Sequence, residues 1–181
     1  AATKVAAEAL ARELADRDRR TVVILRPTNQ VGPRQHPGLV ASAFAKQVAE
    51  AEAGRAEAVV RHGSLDARRD FLDVRDMADA YARAAEIRDP GAQVFNVGTG
   101  RAVGIGEILR TLVGLARIPM RTELDPARVR RDVVPVLALD PSRFRARTGW
   151  APRIPLETSL KDLLDYWRQQ VSANAERPAN V

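Results

Sequence analysis

The side chains in this sequence that could do chemistry are cations and carboxylates, because nucleophiles and soft metal ligands are scarce. There is no cysteine, and the two histidines, His36 and His62, are too few and too isolated to build a zinc site. A disulfide framework is therefore excluded and no metal is expected. Arginine greatly outnumbers lysine, and a guanidinium fork matches the paired oxygens of a phosphate better than an ammonium does. Recognition of a phosphate would need such cations, with oriented N–H groups, in a partly dry cleft. Arg69 precedes the apolar pair Phe71 and Leu72 and so stands at the edge of buried structure. Asp70 and Asp73, flanking that pair, suit capping and orienting better than catalysis. Asp76, one helical turn beyond Asp73, suits anchoring a helix to the loop before it.

Alternating strands and helices must position these groups. Residues 1–18 read as a helix rich in Ala, Glu, Leu and Arg, with Val5, Ala9, Leu10 and Leu14 at helical spacing. A short β-branched strand over 21–25 ends at Pro27, and 29–38 reads as a loop. A helix over 39–53 closes at Gly54, and a strand is predicted over 59–61. Asp73 is a suitable N-cap for a helix over 74–88. A turn at Pro90 and Gly91 leads into a strand over 93–97, and a helix follows over 105–115. Asp140 caps a short helix that stops at Gly149. Pro155 opens a last helix whose apolar stripe is Leu156, Leu160, Leu163, Leu164 and Trp167. Trp150 and Trp167 are expected core aromatics, and 172–181 a polar tail.

With 181 residues, 45% hydrophobic and 29% charged, the composition is that of a globular chain. The net charge of +6 raises the question of nucleic acid, but the arginines are dispersed and no recognition module is visible, so no nucleic-acid partner is expected. No membrane-spanning run is present either, and a cytoplasmic protein is expected.

Four segments, in order, carry a resemblance. They are Leu25-Arg26-Pro27-Thr28-Asn29-Gln30-Val31-Gly32-Pro33-Arg34-Gln35, then Arg69-Asp70-Phe71-Leu72-Asp73-Val74-Arg75-Asp76, then Phe95-Asn96-Val97-Gly98-Thr99-Gly100. The last is Asp140-Pro141-Ser142 running on to Gly149-Trp150-Ala151-Pro152. Together they resemble the C-terminal half of the extended short-chain dehydrogenase/reductase family, the NAD(P)-dependent sugar-nucleotide epimerases, dehydratases and reductases. The branch acting on GDP-linked deoxyhexoses is the most similar.

The resemblance implies an α/β fold: the C-terminal part of a Rossmann-like NAD(P)-binding fold plus a smaller mixed α/β substrate-binding domain. Residues 1–29 and 69–97 would belong to the first, 30–68 and 98–171 to the second. Only two runs look like buried parallel strands, where a doubly wound sheet has about six. The Gly-x-x-Gly-x-x-Gly turn is also missing. The first half of the dinucleotide-binding domain is thus expected to lie outside this chain, leaving it inactive alone and marginal in stability.

The resemblance also assigns residues. Lys4 looks like the second half of a Tyr-x-x-x-Lys pair whose tyrosine would sit one residue before Ala1; it would hold the nicotinamide ribose and lower the tyrosine's pKa. Pro27 and Thr28 would lie beside the nicotinamide of NADP or NAD. Asn29 would donate to sugar or pyrophosphate oxygens, a plain Asx turn being the other reading. Lys46, Arg69 and Arg130 would bind the substrate diphosphate. The pattern departs from the family's at Arg131, Asp132 and Leu139. The implied activity is reduction of a GDP-4-keto-6-deoxyhexose, with 4,6-dehydration or 4-epimerisation as alternatives. A non-catalytic nucleotide-sugar-binding or assembly module is a reading of another class. The full-length protein is expected to be a homodimer or homotetramer, with residues 1–18 at the interface by analogy.

Overall fold

The computed structural model describes residues 2–129 and 134–173. Helix α1 (Ala2–Asp18) leads into strand β1 (Thr21–Pro27), then β2 (Asn29–Val31), α2 (Val40–Glu52), β3 (Val59–His62) and β4 (Arg68–Asp73). Next come α3 (Val74–Ala85), β5 (Gly91–Val97), β6 (Ala102–Gly104), α4 (Ile105–Gly114) and β7 (Arg121–Leu124). A 3-10 turn at Pro126–Arg128, β8 (Val136–Leu137), α5 (Ser142–Thr148) and α6 (Leu156–Ala173) complete the order.

Among the described residues the strands form three small sheets. β1 pairs in parallel with β5, Thr21 opposite Gly91 through Pro27 opposite Val97. The second half of β4 pairs in parallel with β2, and its first half lies beside antiparallel β6 and parallel β8. β3 pairs in parallel with β7. The expected loop over 29–38 therefore begins with a strand, and β4, β6, β7 and β8 were not anticipated. The chain is α/β, as expected, with more parallel pairing than its apolar runs suggest.

Strand β4 is the seam of the molecule. Successive side chains of a strand point to opposite faces, and here the two faces meet different cores. Phe71 packs with Val31, Phe44, Val48, Val60, the inner faces of α4 (Ile108, Leu112) and of α6 (Leu160, Leu163, Leu164). Leu72 packs instead with Met77, Ala80, Phe95, Val97, Phe144 and Trp150. Phe144 and Trp150, expected with the substrate part, thus pack on the β1–β5 side.

Local signals explain most element ends. The Asp73 carboxylate accepts from the Arg75 amide at 2.8 Å and starts α3. Gly149, at φ 66°, takes the left-handed turn that ends α5. Asp140 accepts from the Ser142 amide at 2.9 Å before that helix. Asp76 anchors the entry to α6 by accepting from the amides of Arg153 and Ile154 at 3.1 and 3.0 Å. The stripe read into α1 is not a buried one: Val5 and Leu10 are 69% and 57% exposed, and Ala15 alone is buried. Trp167 is half-buried, its ring N–H donating to the Ser42 hydroxyl at 2.9 Å. No helix among the described residues is long and apolar enough to cross a membrane.

Candidate functional site

Ligands of parallel sheets bind outside the carboxyl ends of the strands, and here the carboxyl ends of β1 and β5 are tied to Asp70, in the first half of β4. The Thr28 amide donates to the Val97 carbonyl at 2.9 Å. The Thr28 hydroxyl and the Asn29 side-chain amide both donate to the Asp70 carbonyl, at 2.8 and 3.1 Å. The Asp70 carboxylate is fully buried. It accepts from the Thr99 amide (3.1 Å), the Thr99 hydroxyl (2.5 Å) and the Gly100 amide (3.1 Å). Burying a carboxylate is costly unless its oxygens are hydrogen-bonded, and these donors meet that need. Gly98 must lack a side chain for this to work, since a Cβ there would lie 2.6 Å from Asp70 Oδ2. Asp70 is thus an organiser of the strand ends. Asp73 plays a similar part below it. Burial pushes its carboxyl up, but hydrogen bonds from the Arg75 guanidinium, the Ser159 hydroxyl and the Arg75 amide outweigh burial and hold it below its ordinary value.

Beside these ends opens a cavity of about 500 Å³. Its apolar wall comes from Leu39, Val40, Ala41 and Phe44 at the start of α2, with Phe71 and Ile105. Its polar rim holds Asn29, Gln35, Arg61, His62, Ser64, Arg69 and Arg128. An apolar wall with a few convergent polar groups is the usual form of a small-molecule site. Arg69 Nη1 donates to the carbonyls of Arg68 and Pro135, at 2.9 and 3.3 Å, which holds the guanidinium at the rim. His62 Nδ1 lies 2.7 Å from the Gly63 carbonyl. A carbonyl only accepts, so Nδ1 carries the proton and Nε2 is left as an acceptor in the neutral ring.

The structure brings Asn29 and Arg69 together on this cavity and leaves Lys46 out. Lys46 pairs with Glu50 at 3.2 Å and lies over the Trp167 ring, 5.9 Å from its centroid, so its charge is engaged on the α6 side. Arg130, Arg131 and Asp132 lie outside the described residues. Lys4 is exposed on α1 and does not line the cavity. It does lie one turn before Glu8, whose carboxylate binds Arg26 at 2.7 Å. Residues four apart share a helix face, so Lys4 lies on the same face of α1 as Glu8, the partner of Arg26.

Gln35, His62, Ser64 and Arg128 were missed. His62, Gly63 and Ser64 directly follow the predicted strand 59–61, and the carboxyl end of a strand was a signal that could have found them. Arg128, on the 3-10 turn after β7, had no such signal. Among the described residues no group of His, Cys, Asp and Glu could hold a metal ion.

Parallel strand pairs with helices, and a polar-rimmed cavity lined from β2, β3 and β4, make this an α/β protein of Rossmann-like fold. The family model described as "NAD dependent epimerase/dehydratase family" matches residues 1–98, and the chain belongs to that family. It is 33% identical over 171 residues to GDP-6-deoxy-D-mannose reductase of Pseudomonas aeruginosa, covering 94% of this chain and 56% of the relative. It is 32% identical over 147 residues to UDP-glucose 4-epimerase of Mycolicibacterium smegmatis, covering 80% and 44%. Among solved structures, RMD from Pseudomonas aeruginosa complexed with NADPH superposes with a TM-score of 0.87 at 30% identity, covering 93% of this chain and 56% of that one. The chain spans about half the length of the curated relatives it matches.

Proposed function

We propose that this chain carries the nucleotide-sugar-binding part of an NAD(P)-dependent reductase acting on a GDP-linked 4-keto-6-deoxyhexose. The observation that supports it most is the cavity itself, which joins an apolar wall able to take a base to a rim holding Arg69 and Asn29. The reductase relative, similar over 94% of this chain, favours reduction and GDP. The epimerase relative favours a second reading, 4-epimerisation of a UDP-sugar.

In the reductase, NADPH or NADH supplies the hydride. Lys4, on the α1 face that carries Glu8, holds the nicotinamide ribose, and Pro27 and Thr28 flank the ring. The exposed Lys4 and the strand-end position of Thr28 fit the nicotinamide end of such a cofactor; no Gly-x-x-Gly-x-x-Gly turn for its diphosphate occurs within these 181 residues. Arg69 clamps the substrate diphosphate and Asn29 orients the sugar side, with Arg130 as a further cation. The 181-residue chain alone binds the substrate nucleotide and turns nothing over. The exposed Val5 and Leu10 on α1 support a homodimer or homotetramer packed through that helix, and the cytoplasm is the compartment we assign.

Calorimetric titration of the chain with GDP and with UDP tests the reading. GDP is expected to bind more tightly, and Arg69→Ala to weaken it about tenfold, as loss of one or two charge-assisted hydrogen bonds implies. Arg69→Lys should restore part of the loss. Preference for UDP would move the reading to the epimerase. Unchanged affinity in Arg69→Ala with a lowered melting temperature would make Arg69 structural.

A further inference from the structure

We propose that Arg128 is a further diphosphate-binding residue of the cavity and that Gly63 is what seats it there. The inference rests on the nucleotide reading above. Three arginines reach the cavity, and they are held in different ways. Arg61 pairs with Glu57 at 2.7 Å and faces Glu123 at 3.8 Å, and the Glu57 hydrogen bond raises its pKa further. Arg69 is held through two backbone carbonyls. Arg128 is held at Nε alone, by Asp125 Oδ2 at 2.9 Å. Among the described residues its two Nη groups have no hydrogen-bond partner, and its side chain is 50% exposed.

The support under Arg128 is built rather than incidental. The Asp125 amide donates to the His62 carbonyl at 2.8 Å, the Arg128 amide donates to the Asp125 carbonyl at 3.0 Å, and Asp125 Oδ1 caps the turn through the Ala127 amide at 3.0 Å. The 3-10 turn is thereby folded down on the carboxyl end of β3. Gly63 stands where it lands. A Cβ on Gly63 would overlap the Arg128 carbonyl oxygen and lie 2.8 Å from its carbon. Both are backbone atoms that no rotamer change can clear, so any larger residue would push the turn, and Arg128 with it, off the cavity.

A guanidinium fixed at Nε and open at both Nη atoms is oriented in advance for a bidentate bond to an anion. The surface pair with Asp125 by itself contributes little to stability. Arg69 rises from β4 and Arg128 from the turn after β7, so the diphosphate would be gripped from two separate sheets.

Calorimetry of the chain with GDP, at low and at physiological ionic strength, tests this. Arg128→Ala should weaken GDP about tenfold, flatten the salt dependence, and leave the melting temperature almost unchanged. Arg128→Lys should recover part of the loss. Gly63→Ala should weaken GDP comparably although Arg128 is still present. Arg128→Ala binding GDP as tightly as the unaltered chain, or losing affinity only together with folding, would overturn the assignment while leaving the nucleotide reading intact. Failure of the unaltered chain to bind GDP or UDP would overturn the nucleotide reading, and this assignment with it.

Discussion

The two cores that meet at β4 are finished to different degrees. On one side, α2, α4 and α6 close over Phe71 with fully buried Leu112, Leu163 and Leu164, and charges seal the seam. Arg168 reaches from α6 to Glu52 on α2 at 2.7 Å and donates to the Leu115 carbonyl at 2.9 Å. On the other side, β1 has one strand neighbour among the described residues, Val23 and Leu25 are half-buried, and Val5, Leu10 and Tyr81 are exposed. Parallel strands are ordinarily covered on both faces. The core beside the cavity is thus covered by three helices, whereas the β1 edge of the other core is only half-buried. Binding of the nucleotide and binding of the cofactor should be separable properties of this chain.

The sharpest way to break that contrast is to cut into both cores. Leu164→Ala, in the closed lobe, should cost about 3 kcal/mol in denaturant unfolding. Next in size is Arg168→Ala, which strands the Glu52 carboxylate and should cost about 2 to 3 kcal/mol, below the range for fully buried pairs because some solvent reaches it. The Arg168 hydrogen bond lowers the Glu52 pKa against the upward push of burial, with the Arg117 amide adding to the lowering. A lowered folded pKa means that this stability is fully present above the ordinary value of 4.5 and is lost as pH falls through the folded value. Arg168→Ala should therefore lie furthest below the unaltered chain near neutral pH, the gap narrowing in acid. Leu25→Ala, half-buried on the open side, should cost about 1 kcal/mol. Lys4→Ala should change stability by less than about 0.5 kcal/mol. A Leu25 effect equal to that of Leu164 would mean the two lobes are equally closed.

The same contrast explains what was legible in the sequence. Helices α2, α4 and α6 bury one apolar stripe each, and stripes survive in sequence as periodicity. Strands β1 and β5 are short β-branched or apolar runs and were equally visible. β4 was hidden because its residues Arg68 to Asp73 serve two cores and a carboxylate hub, so no alternation of apolar and polar remains. β7 was hidden because all four of its residues are exposed, and β2 because it is only three residues long, with Val31 alone buried, and exists once β4 supplies the partner. Arg69 could be picked out because it stands beside Phe71. That Lys46 turns toward Glu50 and Trp167 is set by the tertiary fold and is not written in local spacing. Arg128 depends on a long-range contact with Gly63, which local spacing does not record.

The central claim is that the nucleotide site is built wholly within the closed lobe, and backbone-amide NMR titration of this chain with GDP addresses it most directly. Saturable shifts should cluster at Asn29, His62, Ser64, Arg69 and Arg128, with β1 and β5 above their carboxyl ends unmoved. Shifts centred on α1, β1 and β5, or none at millimolar GDP, would contradict it.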